Sequence, residues 1–465
     1  MNMTDRLSKN LTFHWDRASL LGCLLLILFV FQNPLQQLIP PFQYFDEFYA
    51  ILCFPLCVWA AIRHRLKKFI TRPRLIALVS LILFEGIGWL SSLVFHYQPL
   101  SNALSDSLVF VKFFLSIGTS LLLFSDSDQN RLLRNLIPVA AVLTVFLFLL
   151  CIADLLFSLF PTDERFGLRS IRLFYTHQTV LITVCSLLGA VWFRVREYLQ
   201  FSVLVPLGML GFVLAFTLRA KAFATLAMAA LFYYLILFRK RRPGVLAWLA
   251  GGVAAVVVSA KQIAFYAIDF LNRFDSVPLA GSIASRLSSL LGNDVGDSYA
   301  AAPVTETARG ALTSRSLAVA ADHFPLGSGW ATFGSNFSIE PYSPLYYTYH
   351  MNTVWGLSPD YSEFVCDSFW PSLLAQTGWF GLLFFASALV VVARGISQMW
   401  KQNRFRYASA LVLFVYLLIS STCETAFAGI PGVPAGFWIG LLFAESAAKG
   451  EWRGWLHPEN VRRHF

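Results

Sequence analysis

The chain has 465 residues, 57% of them hydrophobic and 13% charged, where soluble domains carry roughly 25% charged residues. With a mean hydropathy of +0.61, this excludes an ordinary soluble protein and describes a polytopic membrane protein. The formal net charge of +10 falls in short connections between apolar runs, so it reads as a topology signal and not as a nucleic-acid-binding surface.

Taken in order, the first apolar run is 20–31; Gln32-Asn33-Pro34 follows it instead of a small-residue cleavage site, so it reads as a first span and not a removed signal. A bilayer crossing needs about 20 apolar residues. On that measure the sequence predicts an all-α chain of about twelve spans, at 18–35, 42–62, 75–95, 106–124, 135–160, 176–193, 201–218, 222–238, 245–268, 369–393, 407–427 and 434–448. The fifth is long enough to tilt or protrude. The seven cysteines show no metal-ligand spacing; six lie in or beside spans and read as small buried hydrophobes, and Cys366 lies near an outside boundary.

Basic residues set the orientation. Arg63, Arg65, Lys67, Lys68, Arg72 and Arg74 follow span 2, Arg194 and Arg196 follow span 6, and Arg239-Lys240-Arg241-Arg242 follow span 8. Arg394, Lys401, Arg404 and Arg406 follow span 10, and Lys449, Arg453, Arg462 and Arg463 lie in the tail. Twelve spans put all of these, and both termini, on the cytoplasmic side. The divisions are then 1–268 for spans 1–9, 269–368 for a large periplasmic loop, 369–448 for spans 10–12, and 449–465 for a cytoplasmic tail.

The long loop is the one extended polar segment. It is net acidic, and loops of this length are usually functional. Its 285–304 stretch is rich in Ser, Gly and Asp, whereas 305–321 has the pattern of an amphipathic helix, ended by Pro325 and the following glycines. The tyrosines of 342–350 suit a headgroup-level belt or a cover over a cavity.

Charges beside or within spans mark candidate sites. Arg219 and Lys221 lie in a very short outside turn, against the charge rule; they either snorkel to lipid phosphates or form a fixed diphosphate site, since a guanidinium fork matches phosphate oxygens. Arg165, Arg169 and Arg172, followed by His177, form a second outside cluster with the same two readings. Glu424 is a third candidate, and Arg309 and Arg315 lie on the predicted loop helix. Glu85, Lys112, Asp154 and Lys261 lie in or near spans and are expected to pair among themselves. Asp367, where the loop re-enters the membrane, is the candidate base: Ser368 can cap the next helix and leave the carboxylate free to take a proton from a sugar hydroxyl.

Several stretches, in order, resemble the O-antigen ligases and Wzy-type polysaccharide polymerases of bacterial inner membranes. They are 169–179 entering a span, Leu218-Arg219-Ala220-Lys221-Ala222-Phe223, Arg315 followed by His323-Phe324-Pro325-Leu326-Gly327-Ser328-Gly329-Trp330, and Asp367-Ser368-Phe369-Trp370 running to Gly381. The ligases usually carry a His where this chain has Asp367, which points to an exopolysaccharide polymerase or ligase with a carboxylate base; His350 is the reserve.

The resemblance implies an inverting, metal-independent glycosyltransferase without a cofactor. It would transfer an undecaprenyl-diphosphate-linked oligosaccharide to an acceptor glycan at the periplasmic face of the inner membrane. Asp367, Arg219 and Arg315 would be catalytic, and Arg172, Lys221, His177, Arg309 and Glu424 would bind substrate. A chain-length regulator and a flippase are the implied protein partners. The competing expectation is a transporter or flippase of a lipid-linked saccharide.

Overall fold

The computed structural model describes residues 16–64, 71–125, 127, 129–159, 163–165, 168–170, 204–215 and 307–448, with six single positions between 227 and 236. Within these residues the chain is mostly helical. Three of the described α-helices begin where a polar side chain takes up free backbone N–H groups, Thr307 before Ala308–Asp322 among them. Asp16 caps α1 (Arg17–Leu38) by accepting from Ser19 N at 2.8 Å, and Asn403 caps Arg404–Ser420 through Phe405 N and Arg406 N.

The stretch expected as one span at 42–62 is helical but changes type along its length. A 3₁₀ segment over Pro40–Tyr44, one α turn over Phe45–Glu47 and a π segment over Phe48–Leu52 precede α2 (Cys53–His64). Pro40 and Pro41 hold the entry, and the π turn shifts the register of α2. Then come α3 (Arg72–Phe95), α4 (Leu100–Leu123) and α5 (Gln129–Phe157). A small antiparallel hairpin, β1 (Asp163–Arg165) and β2 (Leu168–Ser170), pairs Glu164 with Arg169 in register. Next is α6 (Leu204–Ala215).

After residue 306 the loop helix α7 (Ala308–Asp322) appears close to where the pattern placed it, with Thr307 as its cap. A short helix α8 (Pro344–Thr348) follows. The chain then enters α9 (Phe369–Gln402), α10 (Arg404–Ser420) and α11 (Gly432–Ala448).

Among the described residues, four stretches are long and apolar enough to cross a bilayer: Arg72–Phe95, Leu100–Leu123, Pro138–Phe157 and Phe369–Lys401. Large apolar side chains point outward along them, including Ile82, Leu93 and Val94 on α3, Val142 and Leu149 on α5, and Leu383 and Val390 on α9. Such continuous exposed apolar surface is what lipid contact requires, and the protein is membrane-associated.

Inside, α11 lies along α4 and α9 along α3. The first contact is close because Gly436 and Gly440 present bare backbone to α4; a Cβ on Gly436 would sit 2.7 Å from Phe113 O. Small residues of this kind let membrane helices approach, and Ser116 Oγ ties the pair by donating to Val433 O at 2.7 Å. A second core lies mostly in the polar segment: Leu312, Val319, Phe333, Tyr346, Met351, Leu357 and Val365 pack together, with Ala375 of α9 among them. The 307–368 segment is thus folded around an interior that it shares with α9.

Candidate functional site

The folded segment is bolted to the helices by its glycine-rich run. Ser328 N and Gly329 N donate to Ala375 O and Gln376 O, both at 2.9 Å. Those carbonyls are available because α9 breaks at Gly378, whose φ of 64° and ψ of −167° are closed to residues with a Cβ. Ser91 Oγ donates to Gly327 O, and Trp330 N donates to Ser92 Oγ at 2.7 Å. Asp106, buried in α4, accepts from Ala331 N at 2.8 Å and Ser335 Oγ at 2.5 Å. Gln376 completes the clamp, accepting from Ala331 N and donating to Phe333 O. Trp330 to Gly334 are buried among α3, α4 and α9, with the Trp330 ring against Phe84 and Phe110. The stretch that carries the resemblance in this part of the chain is therefore a buried joint.

The other fastenings define one end of the molecule. Tyr97 Oη meets His323 Nε2 at 3.0 Å, Gln98 Nε2 donates to Pro341 O at 2.8 Å, and Asn102 Nδ2 donates to Glu340 O at 2.7 Å. Trp370 Nε1, at the start of α9, donates to Ser421 Oγ at 2.8 Å in the turn after α10. The 96–102 connection, the folded segment and the 421–431 turns thus share one face.

On that face Asp367 meets Arg309. The guanidinium donates from Nη2 at 2.8 Å and from Nε at 3.1 Å, both to Oδ2. Both side chains remain about a third exposed, at 38% for Arg309 and 29% for Asp367. Ser368 occupies the cap position of α9 without a side-chain cap bond. The expectation of a free Asp367 carboxylate is corrected: a guanidinium holds it. The cation that meets it is Arg309, from the first turn of α7. Arg315, two turns further along, donates from Nε to Tyr349 O at 3.1 Å. Glu424 lies in the turns after α10, its N–H bonded to Ser420 O at 2.9 Å. His350, the reserve base, follows α8 with a left-handed φ of 55°. Arg172, His177, Arg219 and Lys221 lie outside the described residues.

Burial shifts two groups beside this site, Cys366 and Tyr346. Desolvation, and then the nearby carboxylates of Asp106 and Asp367, push the Cys366 thiol well up; its Sγ lies 2.8 Å from Asn336 Oδ1. Burial likewise raises Tyr346, whose hydroxyl takes a bond from Gly334 N at 2.8 Å. The 342–350 tyrosines are in part core: Tyr346 is fully buried, not a headgroup anchor.

A second ionic cluster lies deep in the helices. Lys112 Nζ sits 2.7 Å from Asp46 Oδ2 and 3.0 Å from Glu47 Oε1, and Gln32 Nε2 donates to Asp46 Oδ1 at 2.8 Å. Lys112 therefore pairs with two carboxylates from the second helical stretch, and not within the expected set of Glu85, Asp154 and Lys261. Sequence reasoning misses Asp46, Glu47 and Asp106. The available signal is an acidic side chain within or at the edge of an apolar run.

Comparison with protein-family models, with curated proteins and with solved structures gives no match.

Proposed function

We propose that the chain is a glycosyltransferase of bacterial surface polysaccharide, acting on an undecaprenyl-diphosphate-linked oligosaccharide at the periplasmic face of the inner membrane. The full arrangement proposed is about twelve spans with the 269–368 segment outside. The observation that carries this reading is the partly exposed Arg309–Asp367 pair, set where a folded polar segment meets membrane-type helices. A transferase that takes its donor from the bilayer and its acceptor from water needs its base at that boundary.

In the proposed reaction an acceptor hydroxyl loses its proton to Asp367 as its oxygen attacks the anomeric carbon. The bond from that carbon to the lipid diphosphate breaks, and the configuration inverts. Arg309 orients the carboxylate. Arg219, Arg315, Arg172 and Lys221 would carry the negative charge growing on the departing diphosphate. His177 and Glu424 would contact the glycans, and the folded segment would limit water, which competes with the acceptor. A chain-length regulator and a flippase are the protein partners that the reading implies.

The second reading, a transporter or flippase of a lipid-linked saccharide, draws on the second helical stretch and its buried ions. Charged groups buried among membrane-type helices often mark an ion or substrate path, and Gln32 Oε1 is buried without a hydrogen-bond partner among the described residues. Purified protein in vesicles with a lipid-diphosphate oligosaccharide separates the two. Longer glycans, lost in Asp367→Asn, support the transferase; leaflet exchange of unchanged donor supports the transporter.

A further inference from the structure

Beside the proposed centre, the 351–366 turns build an aromatic shelf that the proposed reaction does not use. Trp355 lies with its ring 5.0 Å from Phe364 and 5.1 Å from Tyr361, and 47% of Trp355 is exposed. The shelf is pre-formed. Gly356 holds a φ of 85° where a side chain would strike the Phe364 ring. Phe364 N donates to Gly356 O at 3.0 Å, and Ser358 and Tyr361 pair as a bridge. Leu357 and Val365 anchor it in the second core. Asp367 N donates to Phe364 O at 3.2 Å, so the shelf runs by one turn into the Arg309–Asp367 pair.

Charge selects the occupant. No Lys or Arg occurs from 316 to 393, Arg309 beside the shelf is paired with Asp367, and Asp322, Glu340, Asp360, Glu363 and Asp367 all fall within 316–368. Asp360 and Glu363 are exposed at the shelf, and Glu363 Oε2 already accepts from Tyr361 Oη at 3.1 Å. Such a rim repels phosphate headgroups and offers acceptors to hydroxyl or ammonium donors. A half-exposed aromatic cluster flanked by acceptors suits a pyranose, whose apolar C–H face packs on aromatic rings while its hydroxyls reach carboxylates.

We propose that Trp355, Tyr361 and Phe364, with Glu363, form a subsite for a neutral or amino-sugar unit of the glycan. The subsite deepens the transferase reading and rests on it for the glycan's role, though its binding can be read alone. The test is binding of the purified full chain in nanodiscs to an array of neutral, amino-sugar and uronate oligosaccharides. Chain growth in vesicles is followed in parallel. Binding of neutral or amino-sugar members that falls at least fivefold in Trp355→Ala, recovers in Trp355→Tyr and weakens in Glu363→Gln is the expected result. No binding, binding indifferent to Trp355→Ala, or preference for uronates overturns the subsite. So does loss, in Trp355→Ala, of adhesion to phosphatidylglycerol vesicles without loss of glycan binding, because the shelf is then a membrane anchor. Glycan binding with no chain growth in any preparation rejects the transferase reading and leaves the subsite standing. Chain growth with glycan binding unmoved in Trp355→Ala does the reverse.

Discussion

At the scale of single residues, two kinds of carboxylate have to be told apart. Asp367 is partly exposed and held by Arg309. An ion pair open to water contributes only about 0–1 kcal/mol to stability, so Arg309→Ala and Asp367→Asn should leave thermal unfolding in detergent nearly unmoved. On the proposed mechanism Asp367→Asn should still reduce chain growth by about a hundredfold or more. Normal chain growth in Asp367→Asn removes it as the base. Asp46 is the opposite case: it is buried, with Lys112 at 2.7 Å. Removing one partner of such a pair strands the other, at a cost of about 3–5 kcal/mol. Lys112→Met should therefore lower the unfolding temperature clearly, and Lys112→Met with Asp46→Asn should recover part of the loss. A double variant less stable than the single one contradicts a charge-pairing role. The sequence makes Lys112 visible as a charge in a span but not its partners, because a partner is fixed by where the helix changes type, and the change at 40–52 is a matter of backbone hydrogen bonding that hydropathy does not register.

At the scale of elements, helix positions follow closely from apolar runs and caps. The Thr307 cap and the pattern after it place α7, and 75–95 appears as Arg72–Phe95. Pattern does not carry the interruption of α9 at Gly378. That residue sits in an apolar, helix-compatible run, and its left-handed φ becomes necessary only because the 325–329 stretch needs the carbonyls of Ala375 and Gln376. Built on Gly378, a Cβ would collide with Pro325 O. Gly378→Ala should cost about 1–3 kcal/mol in backbone strain alone and loosen the folded segment. Hydrogen exchange at Ser328 and Gly329 should rise more than exchange at the middle of α4. Equal protection in the variant and the parent contradicts a joint at this point. The same logic explains why Pro325 to Trp330 carries part of the resemblance in sequence and is a fastening in structure: a glycine-rich turn is required wherever backbone must approach backbone.

At the scale of the whole molecule, the question is which end faces which compartment. The hydrogen bonds of Tyr97, Gln98 and Asn102 to the folded segment, and of Trp370 to Ser421, gather three connections at one end. The basic connections predict the other end: Arg72 and Arg74 open α3, Lys401 closes α9, and Arg404 and Arg406 open α10. Each of these helices runs from one group to the other, so the charge asymmetry and the packing describe the same axis. On the proposed topology the positive end lies in the cytoplasm, and Asp367, the aromatic shelf and Glu424 lie in the periplasm. Single cysteines at Glu363 and Asn102 in a cysteine-free background should react in intact spheroplasts with a maleimide that cannot cross membranes. Cysteines at Lys401 and Lys68 should react only after the membrane is opened. The reverse pattern turns the site toward the cytoplasm, where a lipid-linked donor already exported is out of reach, and the transferase reading fails with it. Labelling of all four positions from outside would break the axis itself, because α9 would then not cross the bilayer between Asp367 and Lys401.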